Sequence, residues 1–300
     1  MADRALTQPA AMAAGIAGAA SHRGGVPYLV LAHSTDETAI AVASMLRQRH
    51  GEFAVEFRSP EELLCATQWD HRVSAAGVET EIRMRDGSFL AGNAPSVIFN
   101  RIGFVDPPHF VTAAPTDREY ARMEMFALLL SWLASPGCPA VNRPAPNALA
   151  GGVFRPPMWF RLAQIAGLPT VRLTATSSTR RFPVDRIAAR RPDLATVGVH
   201  DIDGRPRPND FAWFSAPLDC GRASFLIVGG RIPEDAPVAL AEPCRRLAQL
   251  ADTDILRADF AASVDSPSGW AFAGADSCPH VAEPGSLLRI VSLLETIAMS

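Results

Sequence analysis

Cys278 and His280 follow Asp276 at the end of the stretch SGWAFAGADSCPH, Ser268 to His280. Thiolate, imidazole and carboxylate are all metal ligands, and the stretch has the cadence of a strand that ends at a metal. A C-x-H pair alone is too few, because zinc takes three or four ligands. His71 or His109 would have to complete the set, and the sequence does not place them; the plain alternative is a proline-bearing loop. A second cluster, His33-Ser34-Thr35-Asp36, has the letters of a hydrolase triad. A triad needs side chains that converge in space, and the chain has no G-x-S-x-G. Ser34 reads instead as a helix N-cap with Glu37 three residues on, and His33 as a strand-end residue facing a ligand crevice. Arg101, at the end of the run SVIFN, is the candidate anion binder of the N-terminal half. The pairs Arg180-Arg181 and Arg190-Arg191 are either a solvated face or a dock for an anionic ligand or acidic peptide, since guanidinium forks suit carboxylate and phosphate.

All 28 basic residues are arginine; the chain has no lysine. Chemistry that needs a lysine amine, a Schiff base or an ammonium clamp on phosphate, is excluded unless arginine substitutes, and its fork does not replace a point charge without adjustment. The 300 residues suffice for two domains, and 48% hydrophobic and 20% charged residues are ordinary for a soluble globular protein. A net charge of −3 makes no case for nucleic acid or an anionic membrane. No apolar run is long enough to span a bilayer. Five scattered cysteines without a C-x-x-C pair read as reduced thiols of a cytoplasmic protein. Residues 1–25, rich in Ala and Gly, read as a disordered tail rather than a signal peptide.

The elements that must position these residues alternate strand and helix. VPYLVLAH is a buried strand, the helix after it stops at Gly51, and FAVEF is a second strand, so the unit is β-α-β and its sheet parallel. GVETEIRM and SFLAG flank the turn Asp86-Gly87 as a hairpin. Residues 117–136 form an apolar-faced helix, CPAVN a short strand, and FRPPMWFRLAQIAG a helix ending at Gly167. LPTVRLTAT, RASFLIVGGRI, ILRADFAAS and GWAFAGAD are strands. RRFPVDRIAARRP is a short helical or irregular stretch, and APVALAEPCRRLAQLAD is a helix broken by its proline. SLLRIVSLLETIAMS is a helix. Trp132, Trp159, Trp213 and Trp270 are expected in the core, with Trp159 and Phe160 near a domain junction.

This order resembles the ATP-grasp superfamily, most of all its RimK-like and ribosomal-peptide-maturing ligases, over most of residues 27–298. The most specific match is PAVNRPAPNAL…RLAQIAGLPTVRLTAT, which is similar to the family's "vN.P", helix, "aGlP.T"; WAFAGADSCP resembles its "w.flEvN..P". The resemblance implies an α/β fold. An N-terminal doubly wound parallel-sheet domain, residues 26–145, is followed by a reduced ATP-grasp-like α+β domain, residues 146–300. The span from Pro169 to Ser224 is short for the central subdomain that lids the nucleotide. It implies ATP and Mg²⁺ as cofactors, with Asp259 and Asp276 at metal-ligand positions and Arg155 and Arg101 as cofactor-binding residues, Arg155 lying near a family lysine. The departures are that Gly274 stands where the family has a metal-binding Glu, Ser224 where it has a substrate-binding Arg, and both nucleotide-binding lysines are lacking. Phosphoryl transfer is positioning and charge neutralisation, and Mg²⁺ needs oxygen ligands that Gly274 does not supply. The leading expectation is a degenerate, non-catalytic or altered homologue that binds a peptide or acidic metabolite, with a catalytic partner protein or as a homodimer, and with neither nucleic acid nor membrane. An active ATP- and Mg²⁺-dependent carboxylate–amine ligase and a two-domain metabolite-binding protein outside that superfamily stay open beside it.

Overall fold

The computed structural model describes residues 27–75, 77–91, 95–135, 139–152, 154–171 and 221–300, together with the backbone of three strands between them. The expected tail at 1–25, the stretch 180–192 expected to be helical or irregular with its arginine pairs, Cys138 and Cys220 lie outside the described residues.

The N-terminal layer is a four-stranded parallel sheet in the order β2-β1-β6-β7: β1 Tyr28–Leu31, β2 Val55–Arg58, β6 Val97–Asn100 and β7 Ala140–Val141. β1 and β6 are buried at every position, as continuous apolar runs in parallel sheets are. Tyr28, Val30, Val97 and Phe99 join one core with helix α1, Glu37–His50. Leu29, Leu31 and Ile98 join another core with helix α3, Pro115–Leu133, through Leu129, Trp132 and Leu133. That second core also takes Leu63 from the short helix α2, Pro60–Leu64, and Ile82, Met84 and Leu90 from a β3-β4-β5 sheet: Gln68–Ser74, Gly77–Arg83 and Phe89–Ala91. Asp86-Gly87 turns the expected hairpin, Gly87 at φ 83°. The sequence reading assigned nothing to β3.

The C-terminal half carries α4, Pro156–Ala166, capped by left-handed Gly167. The strands β8 Leu173–Thr176, β9 Ala195–Thr196 and β10 Ala212–Ser215 form a small antiparallel sheet. A second antiparallel sheet, β11 Arg222–Val228, β12 Ile255–Ala262 and β13 Trp270–Asp276, packs on α4 and on α5, Val238–Leu250. Trp159 and Phe160 belong to this core.

Three expectations are corrected. The N-cap of α1 is Asp36, not Ser34: its carboxylate accepts from the Ala39 N–H at 2.9 Å, and the Asp36 N–H closes a turn onto the His33 carbonyl. An anion at the positive helix end is the stronger cap. α3 starts at Pro115 and ends at Leu133 rather than spanning 117–136, its proline occupying the first turn where no N–H is needed. α5 is continuous through Pro243, which sits early in the helix while Leu240, Cys244, Leu247 and Ala248 anchor it in the core.

Two devices fasten the halves together. The last helix, α6 (Pro284–Ala298), buries Leu287, Ile290, Val291 and Leu294 at helical spacing. These sit in the same core as α1 and the parallel sheet, and Glu295 takes Arg49 and His50 of α1 at 2.8 Å. The other device is Asn142, fully buried, at φ 58°, a left-handed conformation that Asn tolerates better than most residues. Its side-chain oxygen accepts from Thr253 Oγ1 (3.3 Å) and the Ile255 N–H (3.2 Å), and its Nδ2 donates to the Ser277 carbonyl (3.3 Å). Its backbone N–H donates to Asp254 Oδ2 at 3.2 Å. Its carbonyl accepts from Gly151 and from Asn100 Nδ2. Gly151 follows at φ 74°, where an added Cβ would lie 3.3 Å from Ser277 Cβ.

Asn142→Ala strands several buried polar groups at once and is expected to cost about 3 kcal/mol or more, read as a lower midpoint in urea unfolding with an unchanged slope. Burial pushes the Asp254 carboxyl above its ordinary value. A carboxyl raised by folding contributes stability below its unfolded pKa, about 3.9, and loses it as pH rises through the raised folded value. Asp254→Asn keeps an acceptor for the Asn142 N–H. Thermal melts should therefore find it more stable than wild type at neutral pH, with the difference vanishing towards pH 4.

Candidate functional site

The antiparallel sheet places Ser224, Asp259 and Gly274 side by side on its three strands, and pairs Arg257 with Asp276 one step along. Arg257 and Asp259 alternate with buried Ala258 and Phe260, so the charged pair lies on one face and the core on the other. A register shift between Asp259 and Phe260 marks a bulge in β12 at this point. Asp259 accepts a hydrogen bond from Ser224 Oγ at 2.7 Å. Arg257 lies between the two carboxylates that were expected to hold a metal, with Nε 3.2 Å from Asp259 and a terminal nitrogen 3.5 Å from Asp276. Asp276 also accepts from the Cys278 N–H at 2.9 Å.

Arg257 thus stands at a cation position between those acids, and the sequence reading missed it. The signal was present: Arg257 and Asp259 are two apart on a strand, hence on one face. Gly274 leaves open space, since a Cβ built there meets nothing within 4 Å. The ion pairs are about a third exposed and add little to stability. Their effect is on ligation. A divalent ion about 4 Å from a guanidinium is repelled by roughly 2 kcal/mol in water and roughly 8 kcal/mol at the dielectric of a protein surface. Among the described residues no group of three or more His, Cys, Asp or Glu side chains converges as a metal site. His71 is engaged elsewhere, with Thr80 and Ser131.

A cleft of about 560 Å³ opens where β1 and β6 end, and is lined by His33, Asp36, Glu61, Arg101, Phe104 and Cys278 among others. Arg101 is buried, 5% exposed. Its Nε donates to Asp36 at 2.8 Å and one terminal nitrogen donates to the Pro279 carbonyl at 3.2 Å, which ties the sheet edge to the segment after β13. Its other terminal nitrogen has no partner within the protein. His33 stacks on Phe104 at 4.1 Å and holds Glu61 through Nδ1 at 3.0 Å, while its buried Nε2 has no partner. Burial opposes the ionisation of Glu61, but hydrogen bonds from the backbone and from His33 prevail and keep its carboxyl below the usual value. Burial pushes the Cys278 thiol up against the pull of Arg101, so it is a poor nucleophile. His280 reaches only Glu37, at 3.7 Å. A second cleft, of about 420 Å³, contains Ser224, Arg257 and the same His280. Arg155, exposed at the start of α4, lines none of these clefts.

Arg101→Met removes one member of a buried pair and is expected to cost about 3 kcal/mol in denaturant unfolding. In Asp36→Asn the helix cap survives, and the double variant should recover part of the loss, giving a coupling of about 1–3 kcal/mol in the mutant cycle.

No family model matches this sequence, and no curated protein matches it. Solved structures do match its fold. The chain is similar to a RiPP-associated ATP-grasp ligase of Chryseobacterium gregarium in complex with ADP and a leader and core peptide, with a TM-score of 0.66 and 11% identity over 90% of this chain and 96% of that one. It is similar to macrocyclase MdnC of Microcystis aeruginosa MRC bound with precursor peptide MdnA, with a TM-score of 0.67 and 13% identity over 90% and 99% of the two chains. It is also similar to the ATP-grasp ligase PsnB complexed with minimal precursor, Mg and ADP, with a TM-score of 0.61 and 14% identity over 92% and 99%.

Proposed function

We propose that this chain, which has the ATP-grasp fold, is a degenerate member of that architecture that binds a peptide without using Mg·ATP as a ligase does. The observation that carries the reading is Arg257 between Asp259 and Asp276, with Gly274 opposite Asp259. A metal that must neutralise transferring phosphates needs those carboxylates free, and here a permanent cation engages both. Loss of both lysines and of a side-chain oxygen at 274 acts in the same direction. The similar proteins hold ADP, Mg and peptides; the missing lysines, Gly274 and Arg257 bear on nucleotide and metal, and Ser224 is the one alteration on the substrate side. The binding role extends to small acidic metabolites only if the N-terminal cleft accepts an anion. A catalytic partner protein or a second copy would supply whatever chemistry follows binding.

Calorimetry of the purified chain with ATP tests the reading. The expected result is no magnesium-dependent binding at millimolar nucleotide. Arg257→Met with Gly274→Glu, which the open space at 274 accommodates, should gain magnesium-dependent binding while either change alone gains less. Magnesium-dependent binding by the wild type, lost in Asp259→Ala or Asp276→Ala, would establish a working site and return the chain to the carboxylate–amine ligases.

A further inference from the structure

We propose that the N-terminal cleft at His33 and Arg101 recognises a neutral amide group of a bound peptide, and not a carboxylate. This rests on the peptide-binding reading above and narrows it. Two buried polar atoms in the cleft lack partners within the protein, the free terminal nitrogen of Arg101 and Nε2 of His33. Arg101 is more than nine-tenths buried, so an unmet donor there costs free energy that a ligand recovers.

The two atoms differ in what they offer. Arginine only donates. The Glu61 carboxylate only accepts, so the Nδ1 facing it at 3.0 Å carries the proton, and in the neutral ring Nε2 is a bare acceptor. One donor and one acceptor in a single cleft match the C=O and N–H of an amide. A carboxylate would satisfy Arg101 and set a lone pair against the lone pair of His33. Charge points the same way: Asp36, Glu37 and Glu61 outnumber Arg101 around the cleft, and Asp36 already neutralises the guanidinium. Phe104, stacked on His33 and more than half exposed, adds an apolar wall. The amide can belong to a Gln or Asn side chain or to the peptide main chain.

Nitrogen-15 NMR of histidine-labelled full-length protein tests this, with His33 assigned by the signal lost in His33→Phe. That variant keeps a ring against Phe104. The tautomer that the Glu61 contact selects should show in the free protein as a protonated Nδ1 and a bare Nε2. N-acetyl-glutamine N-methylamide should shift Nε2 saturably, and acetate, a carboxylate without an amide, should bind about tenfold or more weakly. The alanine analogue separates the sources: equal binding assigns the main chain, weaker binding the side chain. A proton on Nε2, equal or tighter binding of acetate, or no saturable shift in a normally melting protein would overturn the proposal. The probes contain neither nucleotide nor metal. Their failure leaves the reading of Arg257 standing, and magnesium-dependent ATP binding would leave the amide preference standing.

Discussion

The fold depends on one buried amide. Asn142 ends the last strand of the parallel sheet and bonds to the turn before β12 and the segment after β13. A side chain with an acceptor and a donor on one short stem is required, because its oxygen meets an N–H and a hydroxyl while its nitrogen meets a carbonyl. The backbone must also turn left-handed there, which excludes most residues that could otherwise fill the space. Asn100 repeats the arrangement one strand away, donating to the carbonyls of Asn142 and Leu149 and accepting from the Ile102 N–H. Asn142 at Ser277, with Arg101 at Pro279 and Thr38 at Val281, fixes where the segment from Asp276 to Val281 runs, and that segment borders both clefts.

Arginine carries the fixed positive charge at both places. A guanidinium keeps its charge at every relevant pH and cannot be removed by chelation. At Arg101 the charge is buried, and its Asp36 partner doubles as the cap of α1, so one pair secures a helix, a sheet edge and the adjoining segment. At Arg257 the charge is partly solvated and binds its neighbours weakly. The first is structural in weight; the second adds little to stability.

Much of this was legible before the structure. The apolar run at 28–31 announced a buried strand and the β-α-β unit its parallel sheet, Asp86-Gly87 announced its hairpin, and Pro156 and Gly167 bounded α4. The strand Gln68–Ser74 was not legible, because it is polar and largely exposed and owes its existence to pairing with β4. The cap of α1 was misassigned because Ser34 and Asp36 are both cap formers two residues apart, and only the turn geometry chooses between them. Pro243 suggested a break that tertiary packing overrides. The segment around Asn142 was singled out by its likeness to a family pattern, but nothing local reveals partners more than a hundred positions away. Arg257 needed the register of β12 against β13; with it, the strand alternation would have placed it against Asp259 and Asp276.

The helix α6 has a consequence for synthesis. It completes the apolar cover over a face of the parallel sheet whose first strand is made near the start of the chain. At about 5–20 residues per second, that face waits on the order of ten to fifty seconds on the ribosome before its lid exists. The N-terminal layer therefore cannot mature as an independent unit as it emerges. The nascent chain presents Val30, Val97 and Phe99 to whatever hydrophobic-binding chaperone is at hand, and it acquires its native N-terminal half only when the sequence of its C-terminal half has been read.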